Sequence, residues 1–307
     1  MKNSNIKSCL ILCTAALVWG LGFVAQSGAV EHIPSFTVNA LRSFIAAAAL
    51  WLLYKFTSRE SKNGFFPKQK AGRKKYIASA VICGTALPVA TNFQMFGIAA
   101  YPSGAPAEAR SGFITALYVV IVPVMALFFG KKSGVFIWLS VAVAVFGFWL
   151  LCLSDGINAI YLGDILVLIS AFFFSVQILA VDKFGGEIGS IKLSIMQFVV
   201  VGVISAVCAL MFEKPQLGGI VSAVPQILYL GIVSSGVGYT LQIVGQEHAD
   251  PAVASLSLSL ESVFAALGGW LISGNTLSLR EFVGCAVVFS AIIIAQIPEM
   301  KRKNAGT

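Results

Sequence analysis

Charge is what this sequence has least of. Asp, Glu, Lys and Arg together make 11% of its 307 residues, against about 25% in a soluble domain whose surface must stay wet. A soluble globule is therefore excluded. Histidine is nearly absent, with only His32 and His248, and the six cysteines (Cys9, Cys13, Cys83, Cys152, Cys208, Cys285) include no C-x-x-C pair. Neither a zinc site nor a disulfide framework is indicated, and no metal or cofactor is expected. Walker A, H-E-x-x-H and G-x-S-x-G motifs are missing too. Direct ATP use, zinc-dependent hydrolysis and a serine nucleophile lose their sequence support with them.

What the chain has is apolar surface: 58% of its residues are hydrophobic and the mean hydropathy is +0.88. That composition belongs in a lipid bilayer. The formal charge of +8 could suggest nucleic acid, but that needs a basic face on a folded domain, and here the basic residues sit between apolar runs. Nucleic acid is not an expected partner. A helix needs about 20 apolar residues to cross the hydrocarbon, and the sequence divides into ten such segments: 8–30, 34–54, 76–97, 105–129, 134–153, 161–182, 189–212, 225–246, 251–273 and 279–298. The N-terminal 30 residues have the look of a signal peptide, but the apolar run exceeds the usual length and reads as an uncleaved first span.

Orientation follows from lysine and arginine, which are retained on the cytoplasmic side. With the N-terminus inside, 17 of the 21 basic residues fall in inner segments, among them the run from Lys55 to Lys75, Lys131, Lys132, Lys183, Lys192 and the tail Lys301, Arg302, Lys303. Both termini are thus expected in the cytoplasm, in the plasma or inner membrane. The loop around Glu247, His248 and Asp250 is placed inside without a basic residue. Shifting the chain by about 155 residues overlays the first segment on the sixth, and a shift of 147 pairs Gly84 with Gly231. The expected organisation is a first half over residues 1–154 and a second over 155–307, each of five helices. Five is odd, so the second half inserts upside down relative to the first. The expected fold is an all-α membrane protein, ten transmembrane helices forming two inverted five-helix repeats around a central cavity.

Polar residues inside these segments are the functional candidates, because an ionisable group in hydrocarbon must face protein or water. Arg42 shares one helix face with Ser35, Asn39, Ala46 and Ala49. It reads as an anion contact, as a structural pair, or as a side chain snorkelling toward the helix end. Glu261 is the one carboxylate placed deep in a span, facing with Ala254, Ser257, Ala265 and Gly268. Proton coupling, a substrate amine and a packing hydrogen bond are its readings. Further helices carry neutral polar stripes: Trp19 and Gln26; Ser111, Thr115 and Tyr118; Ser170, Phe174 and Gln177; Ser235, Tyr239, Gln242 and Gln246. Asn92 and Gln94 add amides to the third segment. The expected substrate contacts are Trp19, Gln26, Arg42, Asn92, Tyr118, Gln177, Tyr239, Gln242 and Glu261, on a cavity lined by the first, third, fourth, sixth, eighth and ninth helices. Glu108 and Arg110 read either as a solvated gate or as plain end charges.

Five motifs carry a family resemblance: W-G-L-G-F at 19–23, L-R-S-F-I-A-A at 41–47, R-S-G-F-I-T-A-L-Y-V-V-I-V-P at 110–123, G-D-I-L-V-L-I-S-A at 163–171 and L-E-S-V-F-A-A at 260–266. In their order and spacing the chain resembles the drug/metabolite transporter superfamily, in particular the EamA-type ten-helix carriers. The resemblance implies two inverted five-helix halves, a central cavity, cytoplasmic termini and movement of small metabolites, often export of amino acids or related compounds. Ser262 stands where the family commonly has proline, and Gly130-Lys131 and Gly274-Asn275 replace its glycine-glutamate pairs. The expected function is a secondary transporter working by alternating access, with a small-molecule substrate and the bilayer as partners and with either a proton coupled through Glu261 or passive exchange down the substrate gradient, as a monomer or weak homodimer. A vitamin or nucleobase importer of the same fold is the alternative. So is an intramembrane enzyme, whose one hint, Gly163-Asp164, has its only plausible partner Asp182 at the other end of the same helix.

Overall fold

The computed structural model describes residues 4–57, 65–66, 70–102, 105, 107–131, 133–152, 160–274 and 278–304. Among these residues all regular structure is helical. The elements are α1 (Ser4–Val30), α2 (Ser35–Thr57), α3 (Lys70–Ala99), α4 (Ala107–Ala116), α5 (Tyr118–Phe128), α6 (Val135–Cys152), α7 (Leu162–Ile188) and α8 (Ser190–Phe212). They continue with α9 (Leu217–Ser222), α10 (Val224–Leu228), a π-helical segment (Tyr229–Gly238), α11 (Tyr239–Gln246), α12 (Pro251–Leu258), α13 (Glu261–Ile272) and α14 (Leu279–Asn304). Helix is what an apolar open chain adopts in lipid, since every N–H and C=O must be bonded within its own segment.

Eight helical rods among the described residues are long and apolar enough to cross a bilayer, and Val135–Leu150 is a shorter apolar helix. The expected segments 105–129, 225–246 and 251–273 each appear as one rod built from consecutive pieces: α4 with α5, α10 through the π segment to α11, and α12 with α13. Several boundaries differ from expectation: α3 begins at Lys70 rather than 76 and α14 runs to Asn304 rather than 298. The sixth segment was expected to end at 182, but α7 runs to Ile188 and only Gly189 separates it from α8. Gly189 turns the corner at φ +84°, a left-handed conformation open to glycine at little steric cost. The loop expected between 212 and 225 contains the short helix α9.

Large apolar side chains such as Phe128, Leu210 and Phe212 point outward, where hydrocarbon receives them, while alanine, serine and glycine concentrate between helices. That inversion is the rule in lipid, where small residues allow close packing. The most extensive contacts join α3 to α7, α6 to α14 and α2 to α8. At the α3–α7 crossing a Cβ on Gly163 would stand 2.7 Å from the Gly97 carbonyl oxygen, so the two backbones touch only because glycine is there. Where α8 ends, the Glu213 carboxylate accepts from the backbone N–H groups of Phe36 and Thr37, each at 2.8 Å, and from the Thr37 hydroxyl at 2.7 Å. It caps the N-terminus of α2, where unpaired N–H groups and the helix dipole favour an anion.

Candidate functional site

Three of the interrupted rods meet near the middle of the molecule. At Leu117, between α4 and α5, the ladder tightens: Leu117 N–H donates to Ile114 at 3.2 Å and Val120 N–H to Leu117 at 3.0 Å. Between α12 and α13 Ser262 uses both its N–H (3.2 Å) and its hydroxyl (2.8 Å) on the Ser259 carbonyl. The π segment widens the third rod, and the Ser234 carbonyl accepts from the Trp19 indole at 3.0 Å. Broken helices inside a membrane are stable where they line a cavity and neighbours satisfy the freed groups.

With α1, α2, α3 and α7 they line a partly open pocket whose empty space, counted with the solvent it opens to, is about 450 Å³. On one side Trp19 from α1 and Tyr239 from α11 lie with ring centroids 4.6 Å apart, and Phe198 meets the Tyr239 ring edge-on at 5.2 Å. Gln177 from α7 and Gln242 from α11 face each other as a reciprocal amide pair, at 2.9 Å and 3.4 Å. Gln94 donates to the Thr115 hydroxyl at 3.1 Å. Gln26, Arg42, Tyr118 and Glu261 complete the polar lining.

Those last four are the chemically informative ones. Arg42 is 3% exposed and Glu261 4% exposed. Arg42 Nε, Glu261 Oε1, the Tyr118 hydroxyl and Gln26 Oε1 are all buried without a hydrogen-bond partner among the described residues. No ion pair joins Arg42 to Glu261, although both line the same cavity. The Tyr239 phenol neighbours Arg42, and the Tyr118 phenol neighbours Glu261. A buried polar atom left unpaired costs about 1–3 kcal/mol, and a charged one more. A guanidinium, a carboxyl group, a phenol and an amide left open toward one cavity are complementary to a polar ligand.

Eight of the nine expected site residues therefore share this cavity: Trp19, Gln26, Arg42, Tyr118, Gln177, Tyr239, Gln242 and Glu261. The expected set of lining helices gains one member, since α2 contributes Arg42. Asn92 lies elsewhere. Its Nδ2 donates to the Pro88 carbonyl at 2.8 Å and the Ser205 hydroxyl at 3.0 Å, and its Oδ1 accepts from Asn39 at 2.9 Å. This network ties α2, α3 and α8 together. Replacing Asn92 with alanine strips Asn39 and Ser205 of a partner, and interhelical hydrogen bonds in membranes contribute about 0.6–2 kcal/mol each. The expected outcome is a lower denaturation midpoint in detergent with substrate affinity unchanged; weaker affinity at an unaltered midpoint would return Asn92 to the site.

Sequence reading missed Ser234 and chose its neighbour. Counting back from Tyr239 by an α-helical turn gives Ser235, but the π winding makes the turn one residue longer and brings Ser234 to the cavity. Phe23, Gln94, Thr115, Phe174 and Ile178 also line the cavity without having been among the nine expected contacts. Gln94 and Asn92 are two residues apart, about 200° around a helix, so only one of the two amides can face inward.

Two ion pairs hold α7 on either side of its cavity-lining stretch. Asp164 at the start of α7 accepts from Arg110 Nε at 3.1 Å and Nη2 at 2.6 Å, from the Tyr101 hydroxyl at 2.8 Å and from the Tyr161 N–H at 2.9 Å. The Arg110 guanidinium lies 4.8 Å from the Tyr161 ring centroid. Burial, with Asp164 as acceptor, holds the Tyr101 phenol above its ordinary pKa. Near the other end of α7, Asp182 accepts from Lys131, which follows α5. Arg110, read as a gate or a plain end charge, is thus a partly buried ion-pair partner.

Comparison with known proteins places the chain. The profile of the EamA-like transporter family matches it twice, over residues 6–153 and 161–296. The chain belongs to that family and is a multi-pass membrane protein of the transporter class. It is similar to an uncharacterized transporter of Archaeoglobus fulgidus, 27% identical over 93% of this chain and 84% of that protein. It is also similar to the uncharacterized transporter YoaV of Bacillus subtilis, 21% identical over 97% and 99% of the two chains. A solved crystal structure superposes with a TM-score of 0.76 over 97% of this chain and 99% of the other, at 17% identity, which shares the fold.

Proposed function

We propose that the chain is a secondary carrier that moves a small metabolite, an amino acid or related compound, out across the cytoplasmic membrane by alternating access to its central cavity. Arg42 engages an anionic group of the substrate, Glu261 a cationic group or a proton, and Trp19 and Tyr239 its apolar body. Ten spans in two inverted halves surround the site, with both termini cytoplasmic. The observation that carries this reading is the set of unpaired, buried Arg42 and Glu261 facing one cavity. Support for the two halves comes from the double family match and from helix breaks at both Leu117 and Ser259–Leu260.

The test is transport itself. Proteoliposomes offered a mixed pool of amino acids, nucleobases and vitamins, read by mass spectrometry, are expected to accumulate a charged amino-acid-like compound above empty liposomes. Accumulation of an uncharged nucleobase or a vitamin instead would favour the importer reading. Folded protein that moves nothing from such a pool, yet converts one of its members, would mean an enzyme.

A further inference from the structure

We propose that the two ends of α7 carry the gates of this carrier: Asp164, held by Arg110 and Tyr101, closes one mouth of the cavity, and Asp182, held by Lys131, closes the other. This rests on the carrier reading above. It adds what opens and shuts the site, which neither the family nor the cavity specifies.

Asp164 and Asp182 are 18 residues apart on one continuous helix, which spans about 27 Å at 1.5 Å per residue, close to the hydrocarbon thickness. Between them α7 presents Phe174, Gln177 and Ile178 to the cavity. The partners have a matching layout. Arg110 sits in the first turn of α4, Lys131 follows α5, and between them the same rod presents Thr115 and Tyr118 to the cavity on either side of its break at Leu117. The two rods are thus tied at both ends and interrupted between the ties, where the substrate would sit. Each tie also joins a residue of the first family match to one of the second. Relative motion of the two matched regions at either mouth must break that mouth's ion pair.

The two ties are unequal. Asp164 takes two guanidinium N–H groups, a phenol and a backbone N–H, with side chains only 23% and 12% exposed for Arg110 and Asp164. Bidentate, shielded pairs of this kind are the strong ones. The described partner of Asp182 is a lysine ammonium whose side chain is 46% exposed, and exposed lysine pairs hold weakly. In the resting protein the Asp164 mouth therefore stays shut and the Asp182 mouth opens more often. Along α7, Gln177, which pairs with Gln242, is nearer in sequence to Asp182 than to Asp164, and the weaker gate is the one through which the empty carrier loads.

Side-specific labelling tests this on the full chain. In a background with the native cysteines replaced, Ser234→Cys puts one thiol on the cavity wall, and a membrane-impermeant maleimide is applied from either face of oriented vesicles. Without substrate, labelling is expected to be at least tenfold faster from the Asp182 side. Asp164→Asn should raise the rate from the opposite side about tenfold, and Asp182→Asn should speed only the Asp182 side. The double variant Arg110→Asp with Asp164→Arg should restore the closed mouth if it folds, with folding judged by the thermal midpoint. Both single variants speeding the same side, or neither changing labelling in protein that melts normally, would overturn the gates. Because labelling needs no transport, normal uptake with unaltered labelling removes the gates and leaves the carrier. Side-specific labelling in protein that moves no substrate keeps the gates and removes the carrier reading.

Discussion

Replacing Arg42 with methionine is expected to abolish substrate accumulation while raising the thermal midpoint of the empty protein. The two effects have opposite sign because Arg42 is buried with no counter-ion and an unpaired Nε among the described residues. An uncompensated buried charge is a cost in the absence of ligand, and an apolar side chain of similar length relieves it. Function moves the other way. A hydrogen bond to a charged group contributes about 1.5–3 kcal/mol, so losing one weakens binding roughly 10- to 150-fold. Arg42→Lys keeps the charge but loses the planar fork that matches a carboxylate, and should recover only part of the affinity. A lowered midpoint in Arg42→Met with transport intact would show instead that Arg42 fixes helix packing. Thermal melting and radiolabelled uptake on the same preparation read both.

That opposition explains why the cavity could be assembled from sequence while its wiring could not. Polar residues in hydrocarbon are few and conspicuous, so Arg42, Glu261, Gln177 and Gln242 stand out against their neighbours, and expelling them from lipid leaves only the interior. The apolar runs were legible for the same reason: among the described residues eight of the ten expected segments are helices long and apolar enough to cross a bilayer, and the fifth is a shorter apolar helix. Phase was less so. The stripe through Ser235, Tyr239 and Gln242 assumed 3.6 residues per turn, and ten residues of π winding from Tyr229 to Gly238 moved Ser234 into Ser235's place. Nothing in the glycine-rich Y-L-G-I-V-S-S-G-V-G sequence declares that winding, which is fixed by tertiary contacts such as the Trp19 bond to the Ser234 carbonyl.

Pairings across the chain were the least legible. Arg110 and Asp164 are 54 residues apart and sat in two of the motifs that carry the family resemblance, yet spacing alone does not bring them together. Their union depends on the approach of α3 to α7 at Gly97 and Gly163, which sets Tyr101 beside Asp164. Arg42 and Glu261 illustrate the converse. Opposite charges in one membrane protein invite pairing, but the structure holds both at the same cavity with no bond between them. Under the proposed carrier function an internal ion pair would compete with the substrate for both groups, whereas unpaired groups leave each open to it.

The same logic sets the expected behaviour of Glu261→Gln. Glutamine fills the volume of the carboxyl group and keeps one acceptor oxygen, so the fold and the contacts around Tyr118 should survive. It can neither bind nor release a proton. If Glu261 carries the coupling proton, wild-type proteoliposomes given an inward or outward pH gradient should concentrate the substrate, whereas Glu261→Gln should only equilibrate it. Exchange of labelled for unlabelled substrate, which needs no net proton movement, should persist in the variant within about tenfold of wild type, equivalent to about 1.4 kcal/mol. Substrate still concentrated by a pH gradient in Glu261→Gln would exclude the coupling role. Loss of exchange together with concentration, in protein with an unchanged midpoint, would make Glu261 the direct partner of a substrate amine. The two roles thus separate on one variant, because coupling is a property of the proton balance and binding is a property of exchange.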